Sequence, residues 1–350
     1  MTKLLPTSNT SPIMEASILA MWLVQYPFRF LRSCLAEWCR PQACLGTASY
    51  PPEILDMILE HLPSEARIAF ALTCRDFYRR YMPSIPLQLQ PDAKERLLLL
   101  LEKDMPSRYF CHRSCKLHSW SRIRFNVRYA GDHMYGDTCR HDFSMISAQG
   151  YNLDYTAARL IINRHLYGPS YGPRLNNVEE SRTFRDYKFE GIVLKTTWRP
   201  QIIENELFLR GTVTAFHRWG NAMKVRQYAD NKRQLKMCRH IAATDVPELG
   251  RDHGSGALFT VAVGPVRSCP QCFTDYQVDG WVIHLTKWMQ LGSCRSPGDP
   301  KWNALVYYPA EGEQRALTCP AGRVRYMWEG PGGGDRDRDV MGWFTGHTQT

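Results

Sequence analysis

The sequence predicts an α+β protein: a small N-terminal three-helix motif, then a mixed domain with an antiparallel β-sheet and flanking helices. Three observations predict it. Residues 52 to 82 carry apolar side chains at helical spacing, interrupted by proline. From about residue 183 the period shortens, and β-branched and aromatic residues gather in runs of strand length. Aromatic residues make up 12% of the chain, which suits a packed sheet better than a disordered polymer.

The elements follow in order. Residues 1 to 47 hold a short apolar run at 16 to 24, well below the roughly 20 residues that a membrane helix needs. No small-residue cleavage site follows it. This stretch reads as a poorly ordered lead, the protein as intracellular, and no membrane partner is expected. Pro51 and Pro52 impose an extended approach and then suit a first helical turn, where Glu53 meets the positive helix end. Ile54, Leu55, Ile58, Leu59 and Leu62 form one apolar stripe. Pro63 ends that helix and Ser64 is placed to cap the next. A third short helix carries Phe77, Tyr78 and Tyr81. The motif spans residues 48 to 90, and a unit this small rarely buries enough surface to stand alone.

Residues 92 to 104 predict a helix with Asp92 as N-cap, and 154 to 166 another that begins at Asp154. YGPSYGP at 167 to 173 breaks the second. Strands are expected at 187 to 198 and 206 to 219, joined by the connection RPQIIEN as a hairpin. Further strands are expected at 257 to 263, 275 to 289 and 323 to 328. These place one α+β domain over residues 91 to 328. The Gly- and Asp-rich stretch from 329 to 350 has the composition of a flexible tail.

PPEIL at 51 to 55, Ile58-Leu59, Leu62-Pro63 and ALTCRDFY at 71 to 78 together resemble the F-box. YFCHRSCKLHSW, ARLIINRHLYGPSYGP, MCRHI, CPQCFTDYQV and WMQLGSCRSPGDPKW further resemble a large group of uncharacterised fungal F-box proteins. The resemblance implies a substrate receptor of a cullin–RING ubiquitin ligase. Such a receptor binds a Skp-type adaptor, and through it the cullin scaffold, and it holds a target protein with its second domain. Pro51, Ile54, Ile58, Leu59, Leu62 and Phe77 are then the candidate adaptor-binding residues. The role is proximity rather than chemistry.

Twelve cysteines in a chain of 350 residues, without a secretory leader, point to metal binding or burial before disulfides. Cys111 and Cys115 are spaced C-x-x-x-C, and Cys269 and Cys272 C-x-x-C. Short spacings of this kind set two ligands on one knuckle, and two knuckles complete a zinc tetrahedron. The candidate ligands are therefore Cys111, Cys115, Cys269 and Cys272, with Cys238 and His240 as the reserve pair and His118 as a further donor. Buried free cysteines are the competing explanation.

No Gly-rich phosphate loop follows a predicted strand, and neither a G-x-S-x-G elbow nor an H-E-x-x-H helix occurs. No catalytic residue is assigned, and the sequence predicts no enzyme. The formal net charge is +10, concentrated at 108 to 128 and 218 to 240. Arg122, Arg124 and Arg128 alternate as on one strand face. The alternative reading is a zinc-stabilised nucleic-acid-binding or general protein-interaction module. No stacking platform of a recognisable module interleaves with these arginines, so a specific nucleic-acid site is not expected.

Overall fold

A computed structural model describes residues 51–85, 88–120, 145–186, 189–229, 235–242, 245–246, 264–279, 283–306 and 319–330. The lead at 1–47, the strand expected at 257–263, the tail from 331 and Arg122, Arg124 and Arg128 lie outside the described residues. The chain divides into two compact units between Leu89 and Gln90.

Among its described residues the first unit contains three short α-helices and a 3-10 turn (Met82–Ser84). Helix α1 (Pro52–His61) has Pro51 as N-cap, Pro52 in its first turn and Glu53 beside its positive end. Its buried residues are Leu55 and Leu59. Arg67 donates from its guanidinium to the carbonyls of Leu62 and Glu60, each at 2.8 Å, and so satisfies the open end of α1. Helix α2 (Ser64–Ala71) starts one residue earlier than expected: Pro63 is the N-cap and no side chain caps it. Ser64 instead turns its hydroxyl to the Glu65 carboxylate at 3.3 Å. Helix α3 (Arg75–Tyr81) is capped by the Cys74 sulfur, which accepts from the Phe77 amide. Phe70 and Phe77 stack at 4.6 Å, with Tyr81 edge-on to Phe77 at 5.9 Å, which ties α2 to α3.

The second unit opens with α4 (Pro91–Asp104). Pro91 occupies its first turn, so Gln90 and not Asp92 is the N-cap; the fixed φ of proline sets the start. The hairpin β1 (Arg108–Cys111) and β2 (Lys116–Ser119) follows, then a second hairpin, β3 (Met145–Ala148) and β4 (Tyr151–Asp154). The helix expected to begin at Asp154 is α5 (Tyr155–Tyr167), and Asp154 is its N-cap, accepting from the Ala157 amide at 2.6 Å. Every residue from Tyr155 to Asn163 is buried, so α5 is a central helix packed all round.

The main sheet is antiparallel, with order β5-β6-β7-β10-β9-β8. Its strands are β5 (Glu180–Arg185), β6 (Ile192–Ile203), β7 (Glu206–His217), β8 (Arg267–Ser268), β9 (Thr274–Asp279) and β10 (Ile283–Gly292). Helix α6 (Ala222–Ala229) follows β7, and α7 (Pro300–Asn303) follows β10.

The expected hairpin forms, but RPQIIEN is not a loop. Its first five residues extend β6, and the turn is only Glu204 and Asn205, at φ of 51° and 61°. Two left-handed residues make the tight turn whose twist matches the strands. Pro200 lies beyond the register shared with β5, which ends at Trp198, so its missing N–H can sit on an open side of the strand.

The single strand expected at 275–289 is two, β9 and β10, paired from Asp279 with His284 to Thr274 with Met289. The strand expected at 323–328 is a helix, α8 (Arg323–Glu329). Val324, Met327 and Trp328 fall at helical spacing and pack with Phe208 and Trp288. An Arg325–Glu329 ion pair one turn apart, at 2.9 Å, supports the same period.

Alternation sorts the sheet faces. Leu207, Leu209, Trp198, Met289 and Leu291 join α5 in one apolar cluster. Ile192, Leu194, Val213, Ala215 and Leu285 continue that face into a second cluster under α6. The opposite face packs on α8 through Phe208 and Trp288. With both faces covered, almost every residue of β10 is buried.

Candidate metal centre

Cys238 and His240 sit on a tight turn. The amide of Met237 donates to the Ile241 carbonyl at 3.0 Å, and Lys236 bridges to Ala242. Cys269 and Cys272 bracket the turn between β8 and β9. There the Cys269 amide donates to the Thr274 carbonyl, and the Thr274 amide to the Cys272 carbonyl, both at 2.9 Å. The ligand atoms of Cys238, His240, Cys269 and Cys272 all lie within 4.8 Å of one another. The three cysteines are buried and the histidine is half-buried.

The spacing fits a tetrahedral ion. Zinc–sulfur bonds of about 2.3 Å and zinc–nitrogen bonds of about 2.0 Å place ligand sulfur and nitrogen about 3.6 Å apart. His240 Nδ1 lies 3.6 Å from the Cys269 sulfur and 3.8 Å from the Cys238 sulfur. Backbone amides already point at the sulfurs. His240 N–H faces Cys238 Sγ and Gln271 N–H faces Cys269 Sγ, each at 3.4 Å. Such donors favour thiolate. The Cys272 sulfur is 3.2 Å from the Thr274 hydroxyl.

The three sulfurs divide their protons unequally. Hydrogen bonds with Cys238 and Cys272 hold the Cys269 thiol well below its ordinary range, against the effect of burial. The converse holds for its neighbours. The bond to Cys269 pushes Cys238 up to about 11, and Cys272 is raised by its bonds to Cys238 and Cys269. Three thiols this close titrate as one system, and full deprotonation needs a cation to relieve the crowding of negative charge.

Arg239 donates from Nε to His240 Nε2 at 2.7 Å and from Nη1 to the Val306 carbonyl at 2.6 Å. Nε2 is therefore the acceptor, and Nδ1 carries the ring proton toward the sulfurs. Holding a metal through Nδ1 would require the tautomer with its proton on Nε2, which would then face the Arg239 donor, so this contact would have to open.

The C-x-x-C pair is thus gathered with the reserve pair Cys238 and His240, not with Cys111 and Cys115. Cys111 is buried with Tyr109 and Leu160 at the end of β1. Cys115 turns its thiol to the His112 carbonyl at 3.5 Å, and His118 meets the Ser114 hydroxyl at 2.9 Å. Their spacing reflects the tight β1–β2 turn, where Cys115 has φ of 47°. Among the described residues no other group of cysteine, histidine and carboxylate side chains gathers as a metal set.

The adaptor candidates divide. Pro51 is exposed, and Ile54 and Ile58 keep 42% and 45% of their surface in solvent, as does Met57 at 59%. Leu59 is 8% exposed and belongs to the interior of the first unit. Leu62 and Phe77 are half-buried, Phe77 within the aromatic stack.

Sequence reasoning passed over Lys287. It lies on β10 between Leu285 and Met289, on the core face, and is fully buried. Its ammonium donates to Gln149 Oε1 at 2.8 Å and to the Lys236 carbonyl at 3.1 Å, and rests 4.8 Å from the centre of the Trp198 ring. Trp198, Gly211 and Lys287 stand abreast across β6, β7 and β10. A Cβ on Gly211 would fall 2.4 Å from the indole, so only glycine lets Trp198 and Lys287 meet there. Burial pushes the lysine down to about 7, and charge on Cys238 works the other way. Among the described residues no helix is long and apolar enough to cross a membrane. No family model, curated protein or solved structure matches this chain.

Proposed function

We propose that the chain is an F-box-type substrate receptor. In this reading the first unit docks onto a Skp-type adaptor, and the second unit holds a protein target for a cullin–RING ligase. The observation that carries it is the apolar face of α1, where Ile54, Met57 and Ile58, at helical spacing, remain in solvent while Leu55 and Leu59 point inward. A short helix that leaves such a stripe uncovered has the form of a helix-in-groove ligand.

The second unit is then a scaffold, stapled by zinc at Cys238, His240, Cys269 and Cys272. Three thiolates and an imidazole suit zinc by softness and geometry. Four protein ligands leave no open position, so the ion is structural. The test is co-purification of the intact chain with a Skp-type adaptor, beside a variant carrying Ile54→Asp and Ile58→Asp. Adaptor recovered with the wild type and lost with the variant supports the reading; a wild type that recovers none refutes it.

A further inference from the structure

We infer that Lys287 is the counter-cation of the metal centre: its buried ammonium balances the negative charge that three thiolates leave on a divalent ion. The inference rests on the Cys3His set holding a metal, and it adds a functional residue that lies outside that set.

A lysine with no exposed surface is costly unless something returns the lost hydration. The partners of Lys287 are a side-chain amide, a backbone carbonyl and the face of an indole. All three are neutral. They satisfy the geometry of an ammonium without supplying an opposite charge. Among the described residues, however, the neighbourhood does contain a place where negative charge would form on loading. The Lys236 carbonyl that accepts from Lys287 belongs to the turn presenting Cys238, two residues further on. Loading a divalent ion on three thiols and a neutral imidazole releases three protons to solvent and leaves a centre with one net negative charge. In a low-dielectric interior that charge acts strongly on a nearby ammonium. Charge on Cys238 is the influence that favours protonated Lys287.

Arg239 is another cation at the site, but it is half-buried, and its contact with His240 Nε2 would have to open for Nδ1 to take a metal. Lys287 keeps both of its acceptors in either state. The two charges explain each other: the ammonium tolerates burial because the loaded centre is anionic, and the centre tolerates burial because the ammonium is there.

The test titrates the purified full-length chain with Zn2+ and Co2+ against a chelator and melts the metal-free forms alongside. Lys287→Met keeps the length and the contact with Trp198 but removes the charge. Gln149→Asn keeps the charge and a residue type that accepts the left-handed backbone at this position (φ 44°), yet is too short to hold the ammonium. Metal affinity should fall about tenfold or more in Lys287→Met, the effect of one unpaired charge. It should stay within about threefold in Gln149→Asn. Metal-free Lys287→Met should melt no lower than the wild type, since an uncompensated buried charge has gone. Unchanged affinity in Lys287→Met, an equal loss in Gln149→Asn, or a metal-free Lys287→Met that melts well below the wild type overturns the inference while the metal site stands. A wild type that binds neither ion removes the site and the inference together.

Discussion

On the proposed reading, Ile54 and Ile58 allow docking to be separated from folding within a single helix. Fully burying an isoleucine side chain is worth roughly 1.5–3 kcal/mol. These two keep 42% and 45% of their surface, so a partner covering them recovers roughly 0.6–1.4 kcal/mol each on the same scale. Truncation to alanine should therefore weaken the adaptor complex about three- to tenfold per site, and leave the first unit folded. Aspartate does more, because the interface must also strip water from a carboxylate, at several kcal/mol. The pair Ile54→Asp and Ile58→Asp should lose about a thousandfold or more in affinity. Leu59→Asp is the contrast. At 8% exposure it places a charge inside the unit and should unfold it, which abolishes binding for another reason. Calorimetric titration with the adaptor measures the first effect, and circular dichroism of each variant the second. Wild-type affinity in the aspartate pair, or a folded Leu59→Asp, would refute this division of α1 into an outer and an inner face.

Elemental analysis of the pure protein should give about one equivalent of zinc, and a chelator should lower the melting temperature, since such an ion contributes on the order of 10 kcal/mol in peptides. Cys269→Ser and Cys272→Ser should each lose the metal while Cys111→Ser retains it; less than half an equivalent in the wild type counts against the site. Glu102, buried on α4, accepts from Phe110 N–H at 3.0 Å, Asn163 Nδ2 at 2.9 Å and Arg159 Nε at 3.1 Å, and pairs with the Arg159 guanidinium. Glu102→Ala should cost about 3–5 kcal/mol in urea denaturation, because it strands the arginine charge; a loss below 1 kcal/mol would show the pair to be dispensable. The depressed Lys287 also sets a pH dependence. Between about 7 and the ordinary lysine range near 10, the unfolded chain binds the extra proton, so stability should rise with pH. Under chelation, the wild type should gain up to about 1.4 kcal/mol per pH unit relative to Lys287→Met, and a constant difference across that window would contradict the burial of a charge there.

Local signals were legible where the determinants are local. Asp154 reads as the start of a helix because an apolar helical run follows it, and its bond to Ala157 shows that it caps the helix one residue further on. The β6–β7 hairpin reads from its composition, but its turn does not, because Glu204 and Asn205 lack the glycine that usually marks two left-handed residues. Residues 323 to 328 look like a strand by composition; the 324, 327, 328 spacing was the overlooked signal, and packing on Trp288 decides for helix. The C-x-x-C knuckle is visible in the sequence, whereas its partner pair is a long-range fact. Cys238 and His240 reach it only because the turn after α6 and the β8–β9 turn meet. Lys287 carries no local mark at all. In IHLTKWM it occupies the position of a residue facing core, and a reader expects lysine to face water.

A metal held by Cys238, His240, Cys269 and Cys272 would also be a staple that closes a loop. About thirty residues of chain run from His240 to Cys269, and tethering their ends removes conformational freedom from the unfolded chain, much as a disulfide of that span would, about 3–4 kcal/mol in the entropic account. The cost of such closure grows only logarithmically, roughly 0.6 kcal/mol for each doubling of length. That segment can therefore lengthen or shorten between related sequences with little penalty, while the two residues between Cys269 and Cys272 cannot. Variation in length should collect inside the closed loop and stop at the knuckles that close it.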